Sequence, residues 1–137
     1  MPTYTASAST KAGRNGHIRS SDGTIDLDLA MPKELGGSGK AGATNPEQLF
    51  AAGYSACFGS AIMAVAGAQN IKPGDVTVTA DVTLHAENHE FWLTVKLAAH
   101  IAGVDHATAE QLVHKAHEVC PYSKATRNNV NVELTVV

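Results

Sequence analysis

Residues 44–68 constrain the fold of this 137-residue chain most strongly, because they predict one long helix built mainly from small side chains. Asn45 suits the N-cap, Pro46 suits the first helical position, and Gln48 stands where a capping-box side chain reaches back. Each glycine in a helix costs about 1 kcal/mol relative to alanine, so other backbones must pack closely around this segment. It therefore predicts a central buried helix of roughly five or six turns.

The segments around this helix predict the rest of an α+β fold. Three short, weakly alternating strands precede it, followed by a glycine-rich loop over residues 31–43. Two longer strands follow it, with apolar residues at every second position, which is typical of an antiparallel sheet with one wet face. Asp105 predicts the N-cap of a second helix that Pro121 ends, and a last strand follows. The order β-β-β-α-β-β-α-β predicts a single domain over residues 1–137, with helices packed on an antiparallel sheet.

The charge and hydropathy of the chain exclude several classes of protein. Ten basic residues against 13 acidic ones give a formal charge of −3, which argues against a nucleic-acid partner. The start of the chain shows no basic segment followed by an apolar run, and no stretch of 18 uninterrupted apolar residues predicts a membrane span. We therefore expect a cytoplasmic protein without a membrane partner, in which a cysteine pair is more often catalytic, redox-active or metal-binding than a structural disulfide.

The two cysteines differ in their predicted surroundings. A lone buried cysteine often only fills space in the core. Cys57 lies about ten residues, or roughly 15 Å, from the start of its helix. The helix dipole cannot acidify a thiol there, so a thiolate at neutral pH needs a discrete cation: Arg14, Arg19 or Arg127. Cys120 falls at the end of the second helix, where the dipole disfavours a thiolate. The pair therefore predicts Cys57 as the attacking sulfur and Cys120 as the thiol that resolves its oxidised form.

The seven histidines suggest a metal site as an alternative. His114, His117 and Cys120 recur every third residue on the second helix, and His85 and His89 flank a turn. Structural zinc needs four ligands, and catalytic zinc needs three and a water molecule. These histidines are expected beside the apolar stripe, as solvated side chains, so we predict no metal.

Several segments together resemble a known family. Residues 44–58 and 119–123, together with the turn at residues 13–16, closely resemble the organic hydroperoxide resistance proteins of the Ohr/OsmC family. The similarity extends over essentially the whole chain and includes the loop at residues 32–37. The resemblance implies an OsmC-like fold and a cofactor-free, thiol-dependent peroxidase that reduces alkyl and fatty-acid hydroperoxides. Such an activity would protect a cell against oxidative stress.

The resemblance also implies roles for four residues. Cys57 is similar in position to the peroxidatic cysteine and Cys120 to the resolving one, with a Cys57–Cys120 disulfide between turnovers, while Arg14 and Glu47 complete the site. Lipoyl groups on carrier proteins are the implied dithiol reductant.

The role expected of Glu47 follows from its charge and its place in the helix. A carboxylate beside a thiol would raise the thiol pKa, so Glu47 is expected to hold the arginine through a fork-shaped pair. Because it lies about three helical turns from Cys57, we predict that it serves a site across the boundary of an intertwined homodimer.

Two further interpretations stay open at this point. The cysteine pair would also suit a redox-sensing or small-ligand-binding module that does not turn over, and the histidines would suit a structural zinc protein. A group of aromatic residues is compatible either with a channel for an apolar substrate or with ordinary core packing: Phe50, Tyr54, Phe58, Phe91 and Trp92.

Overall fold

The computed structural model describes all 137 residues of the chain. They form two compact units, Met1–Leu49 and Phe50–Val137. The prediction of one domain over residues 1–137 stays a prediction beside this division.

The first unit is a small antiparallel sheet with very little core. Its strands are β1 (Ala8–Lys11), β2 (His17–Ser20) and β3 (Asp26–Asp28), in the order β1-β2-β3. Single 3-10 turns occupy Gly13–Asn15 and Lys33–Leu35. The buried residues of this unit are few: Leu29, Ala30 and Thr44. The three predicted strands are present, although the first begins at Ala8, later in the chain than its weak alternation predicts.

Helix α1 (Pro46–Ala68) begins and ends where the sequence predicts. The Asn45 Oδ1 accepts a hydrogen bond from the backbone N–H of Gln48 at 2.8 Å, so the N-cap is confirmed. The other half of the capping box is not formed, because the Gln48 side chain accepts a hydrogen bond from the Thr44 hydroxyl at 2.8 Å. The helix start therefore depends on Asn45 rather than on a reciprocal pair.

Within one chain α1 is buried on only one face, which corrects the prediction of close packing on several sides. Its buried residues are Tyr54, Phe58, Ala61, Ile62, Val65 and Ala66. They share a core with residues of the strand Glu90–Ile101 and of the helix His106–Val119. Met63, on the other face, is 62% exposed. By length and hydropathy alone α1 would be able to cross a membrane, a property that the core helix of a soluble protein shares.

The sheet of the second unit has three strands: β4 (Val76–Glu87), β5 (Glu90–Ile101) and β6 (Asn131–Val136), in the order β4-β5-β6. Strands β4 and β5 form a long antiparallel hairpin, as their alternation predicts. Strand β6 runs parallel to β5, so the antiparallel expectation does not hold for this pair. The helical connection between β5 and β6 makes the parallel pairing possible.

Two helices make that connection, so the α+β prediction is confirmed with one additional element. Helix α2 (His106–Val119) begins at the predicted N-cap, where the Asp105 side chain accepts from the backbone N–H of Thr108 at 2.7 Å. Pro121 was expected to end a helix, but it also begins a short helix, α3 (Pro121–Thr126). Proline suits a first helical turn, since its missing N–H would have no intrahelical partner there.

Candidate active site

The two cysteines meet inside the second unit. Cys57 lies in the middle of α1 and is half-buried, whereas Cys120 is completely buried. Both are free thiols, and the Cys120 S–H donates to the Cys57 sulfur with 3.5 Å between the two Sγ atoms. A disulfide bond is about 2.05 Å long, so a small movement would join them. The expected contact between the two thiols is therefore present, with Cys57 as the more accessible sulfur.

Cys120 is held by the junction of α2 and α3. Its backbone is extended, with φ −60° and ψ 125°, and it is both the C-cap of α2 and the N-cap of α3. Its N–H donates to the Ala116 carbonyl at 2.8 Å, and its carbonyl accepts from the N–H of Lys124 at 2.9 Å. The sequence placed this thiol only at a helix C-terminus, so its second position, at the start of α3, was missed.

The surroundings of Cys57 favour the protonated thiol. Burial raises the pKa of the Cys57 thiol, the backbone N–H of Tyr122 lowers that pKa by hydrogen bonding, and the neighbouring Cys120 raises it further. The net direction is upward. A reactive thiolate would therefore need a nearby positive charge, in agreement with the requirement for a discrete cation.

Arg14 and Glu47 form a bidentate ion pair within the first unit. The Arg14 Nη1 and Nη2 atoms donate to the two Glu47 carboxylate oxygens at 2.9 and 2.7 Å. Arg14 lies in the 3-10 turn Gly13–Asn15, and Glu47 lies in the first turn of α1. The hydrogen bond from Arg14 holds the pKa of the Glu47 carboxyl below its ordinary value, while the same bond raises the pKa of the Arg14 guanidinium.

This geometry matches the fork-shaped pair expected from the sequence. Only 14% of the Glu47 side chain is exposed, against 36% for Arg14, so the carboxylate is the better shielded partner. The pair forms within one chain. Its service to a site in a second subunit stays a prediction, as do the catalytic roles of all four residues.

The two other candidate cations have different partners. The Arg19 Nε lies 3.9 Å from an Asp26 oxygen, on the exposed sheet of the first unit. The Arg127 guanidinium donates to the backbone carbonyl of His117 near the end of α2. The two arginines therefore contact oxygen atoms of their own units.

A buried polar network that joins α1, α2 and α3 was missed by sequence reasoning. The Tyr54 hydroxyl lies 2.8 Å from the Ser123 Oγ and 3.2 Å from the Thr126 Oγ1, and the His117 Nδ1 lies 2.8 Å from the same Ser123 oxygen. Burial is the main cause that lowers the pKa of His117, followed by the charge of Arg127. The expectation of a solvated histidine is wrong for His117, whose ring is half-buried. Tyr54 and Ser123 are 69 residues apart, so no local pattern could have indicated the network.

The structure also shows where the possible metal-ligating residues and the aromatic side chains lie. No group of three or more His, Cys, Asp or Glu side chains has an arrangement that could hold a metal ion. Tyr54 and Phe58 are fully buried core residues. Phe91 and Trp92, near the tip of the β4–β5 hairpin, are 69% and 43% exposed.

The chain is similar to known proteins over nearly its whole length. The family model described as OsmC-like protein matches residues 37–135. An organic hydroperoxide resistance protein of Xanthomonas axonopodis pv. citri is 48% identical over 97% of this chain and 94% of its own length. A crystal structure of an organic hydroperoxide resistance protein OsmC from Legionella pneumophila has 56% identity and a TM-score of 0.93, covering 99% of this chain and 98% of that one.

A second solved structure agrees with the first. The organic hydroperoxide resistance protein OhrB of Bacillus subtilis has 45% identity and a TM-score of 0.90, with 98% of both chains covered. The matches extend across both the segment that carries Arg14 and the segments that carry the two cysteines. The chain therefore belongs to the OsmC-like family, among its organic hydroperoxide resistance proteins.

Proposed function

We propose that this protein is a thiol-dependent peroxidase that reduces organic hydroperoxides to alcohols and so protects against oxidative stress. The observation that carries the proposal is the pair of free thiols, one half-buried and one buried, with their sulfurs 3.5 Å apart. Relatives named for organic hydroperoxide resistance support the choice of substrate class. The proposal requires no cofactor or metal, because two sulfurs can carry both electrons.

The proposed cycle starts at Cys57. Its thiolate attacks the hydroxyl oxygen of the hydroperoxide; an S–O bond forms, the O–O bond breaks, and the alkoxide leaves and takes up a proton to become an alcohol. Sulfur loses two electrons and the peroxide gains two. Cys120 then attacks the sulfenic acid at Cys57, so that an S–S bond forms and hydroxide leaves with the Cys120 proton as water. A dithiol transfers two electrons and two protons to restore both thiols.

Arg14 is proposed as the cation that the Cys57 thiolate requires. Its guanidinium would stabilise the thiolate and donate to a peroxide oxygen as negative charge develops on the leaving alkoxide. The bidentate bond to Glu47 supports this role, because it fixes the plane and direction of the guanidinium. Glu47 thus acts as a positioning residue. The raised pKa of Cys57 supports the need for such a charge.

The proposed partners follow from the same chemistry. A lipoyl group on a carrier protein, or another dithiol in the cytoplasm, would reduce the Cys57–Cys120 disulfide. We also propose a homodimer, since α1 leaves one face of a single chain uncovered. Met63 on that face is 62% exposed, and Ala52, Ala56 and Ala64 are exposed with it. Sedimentation velocity tests the dimer, and a monomer at micromolar concentration would contradict it.

The test of the proposed function is a count of thiols and oxygen atoms by intact mass. Reduced protein receives one equivalent of cumene hydroperoxide. We expect the wild type to lose both thiols without gaining oxygen, Cys120→Ser to gain one oxygen at Cys57, and Cys57→Ser to keep its remaining thiol. Unreacted thiols in the wild type would contradict the proposal. Steady cycling with dihydrolipoamide separates a peroxidase from a redox sensor, in which the disulfide would form without sustained turnover.

A further inference from the structure

We propose that Gly53 and Tyr122 form a positioning device that sets the approach of the Cys120 sulfur to the Cys57 sulfur. We call the space beside Gly53 that the Tyr122 ring occupies the Gly53 notch. This inference rests on the proposed peroxidase cycle, because it assigns to the notch the step in which Cys120 resolves the oxidised Cys57.

The ring of Tyr122 fits where a side chain at position 53 would stand. A Cβ atom placed on Gly53 would lie 2.7 Å from the Tyr122 Oη, 3.1 Å from its Cε2 and 3.2 Å from its Cζ. The ring also packs against Phe50 and Tyr54, with centroid distances of 6.2 and 5.6 Å. Two aromatic rings and a missing side chain therefore seat the inner side of the Tyr122 ring against α1, while 39% of the residue stays exposed.

The notch lies beside both sulfurs along the chain. Gly53 and Cys57 are an i, i+4 pair, so they share one face of α1. Tyr122 follows Cys120 by two residues and lies in the first turn of α3. The packing of the Tyr122 ring against Gly53 therefore positions the start of α3 against α1, and Cys120 is positioned with it.

Gly53 is distinguished from the other glycines of α1 by this crowding. A Cβ on Gly59 would meet only the Val78 Cγ2, at 3.8 Å, which is ordinary van der Waals contact. A Cβ on Gly67 would meet nothing within 4 Å. All three positions give up the same helix propensity, yet within one chain only Gly53 is needed to admit a neighbouring side chain.

The approach of the sulfurs decides between two fates of the sulfenic acid. In the productive fate Cys120 attacks Cys57, the S–S bond forms, the S–O bond breaks, and water leaves. In the other fate a second hydroperoxide transfers an oxygen to Cys57, giving a sulfinic acid while the peroxide is reduced to an alcohol. Displacement of Cys120 slows only the first, intramolecular step, so it raises the share of over-oxidised protein.

The test compares Gly53→Ala with Gly59→Ala, which gains the same helix propensity without a clash inside the chain. Because Gly59 lies on the α1 face proposed for the homodimer, sedimentation velocity first establishes that both variants keep the oligomeric state of the wild type. Both proteins cycle with cumene hydroperoxide and dihydrolipoamide, and mass spectrometry measures sulfinic and sulfonic acid at Cys57 per turnover. We expect Gly53→Ala to raise this over-oxidised fraction roughly threefold to tenfold, since the ring must move by several tenths of an ångström. Gly59→Ala should match the wild type. Equal fractions in the two variants would overturn the inference.

A double-mutant cycle separates the notch from a general effect on folding. We expect Tyr122→Ala to raise over-oxidation as well, and Gly53→Ala to add nothing further in that background, because the clashing ring is gone. Tyr122→Phe should partly rescue Gly53→Ala, since it removes the atom nearest to the added Cβ. Additive effects of the two changes would overturn the inference. If Gly53→Ala does not fold, the over-oxidised fraction is compared between Tyr122→Ala and Tyr122→Phe. Equal fractions in these two variants would overturn the inference.

Oxidation by diamide distinguishes failure of this inference from failure of the proposed function. Diamide forms the Cys57–Cys120 disulfide without a peroxide, so it reports the approach of the two thiols alone. We expect Gly53→Ala to slow this reaction roughly threefold to tenfold relative to Gly59→Ala. If Gly53→Ala is oxidised by diamide at the wild-type rate, the proposed role of the Gly53 notch is contradicted. If the thiols of the wild type do not react with cumene hydroperoxide, the proposed peroxidase function is contradicted.

Discussion

The two units of this protein contribute opposite kinds of chemistry. The unit Met1–Leu49 carries a charged pair, Arg14 and Glu47, on a scaffold with three buried residues. The unit Phe50–Val137 carries two uncharged thiols at the edge of a packed apolar core. Sulfur in an apolar setting resists ionisation, and an arginine on a polar scaffold stays charged and hydrated. The proposed reaction needs both settings, and each setting can be perturbed separately.

The largest expected effect is a loss of stability on truncating the core of the second unit. Phe58 is fully buried, and its ring packs against Tyr54 and the ring of His117. Phe58→Ala should lower the free energy of unfolding by about 3–5 kcal/mol, measured by urea denaturation at fixed protein concentration. The matched change in the first unit, Leu27→Ala, removes a side chain that is already 40% exposed and should cost at most about 0.5 kcal/mol. Similar losses of unfolding free energy in the two variants would contradict the difference in packing between the two units.

The next effect concerns charge rather than packing. Arg14→Ala should lower the rate of Cys57 oxidation about 10²–10³-fold, by removing the proposed donor to the developing alkoxide. It should also move the midpoint of Cys57 alkylation upward by about 1–3 pH units, because an opposite charge no longer favours the thiolate. Stopped-flow kinetics measure the oxidation rate, and a pH profile of iodoacetamide alkylation measures the midpoint. An unchanged alkylation midpoint would assign the thiolate to another cation.

Two controls sharpen the Arg14 prediction. Arg14→Lys keeps the charge but loses the fork, so it should fall between alanine and the wild type. In Glu47→Gln the positioning bond is weakened while Arg14 keeps its charge. The hydrogen bond from Arg14 lowers the pKa of Glu47, so the pair is fully formed above the ordinary glutamate value of 4.5 and is lost as the pH falls through the lowered pKa. The Glu47 contribution should therefore be constant from neutral pH down to that range.

Local sequence signals account for the elements that the prediction reproduced. Asn45 and Pro46 mark the start of α1 because capping chemistry is local, and the alternation of apolar residues in β4 and β5 reports their wet and buried faces. Strand direction is different. The alternating valines and leucine of β6 are equally compatible with either direction, and the helical connection permits the parallel pairing with β5 that the structure shows.

The site was predictable only in part, for a similar reason. The cysteines and the Arg14–Glu47 pair were identified through residue chemistry and a family resemblance, and the fork-shaped contact followed. The Gly53 notch was not foreseen as a specific contact. Small residues predicted close approach along all of α1, but composition does not say which glycine faces a partner within the chain. Helix α3 was not predicted, because Pro121 indicates the end of one helix and equally suits the first turn of the next.

A smaller effect is expected from the polar network of the second unit. Tyr54→Phe removes a buried hydroxyl that bonds Ser123 and Thr126 and should cost about 1–2 kcal/mol of unfolding free energy. Tyr122→Phe deletes the same atom from a side chain that is 39% exposed, so it should cost at most about 0.5 kcal/mol. Thermal and urea denaturation measure both. Equal costs would mean that the buried network adds no stability beyond packing.

The smallest effects are two pH dependences of opposite sign, one in each unit. In the first unit, hydrogen bonds from His17 to Asp28 and Asp26 raise the pKa of His17. The stabilisation is therefore complete below the ordinary value of 6.5 and is lost as the pH rises through the raised pKa. In the second unit, burial lowers the pKa of His117, so stability falls as the pH drops below 6.5 toward the lowered pKa.

Amide hydrogen exchange resolves the two histidines, because it reports opening of each unit separately. After correction for intrinsic exchange rates, the opening free energy of β2 should decrease as the pH rises above neutral, and that of α2 should decrease as the pH falls below it. His17→Gln should flatten the first trend and leave the second intact. Asp26, Asp28, Arg19 and Lys40 surround His17, while Arg127 and His114 act on His117, so the two trends have separate electrostatic origins. A common trend in both units would show that they open together, and the contrast between a polar and an apolar unit would then hold for their chemistry but not for their stability.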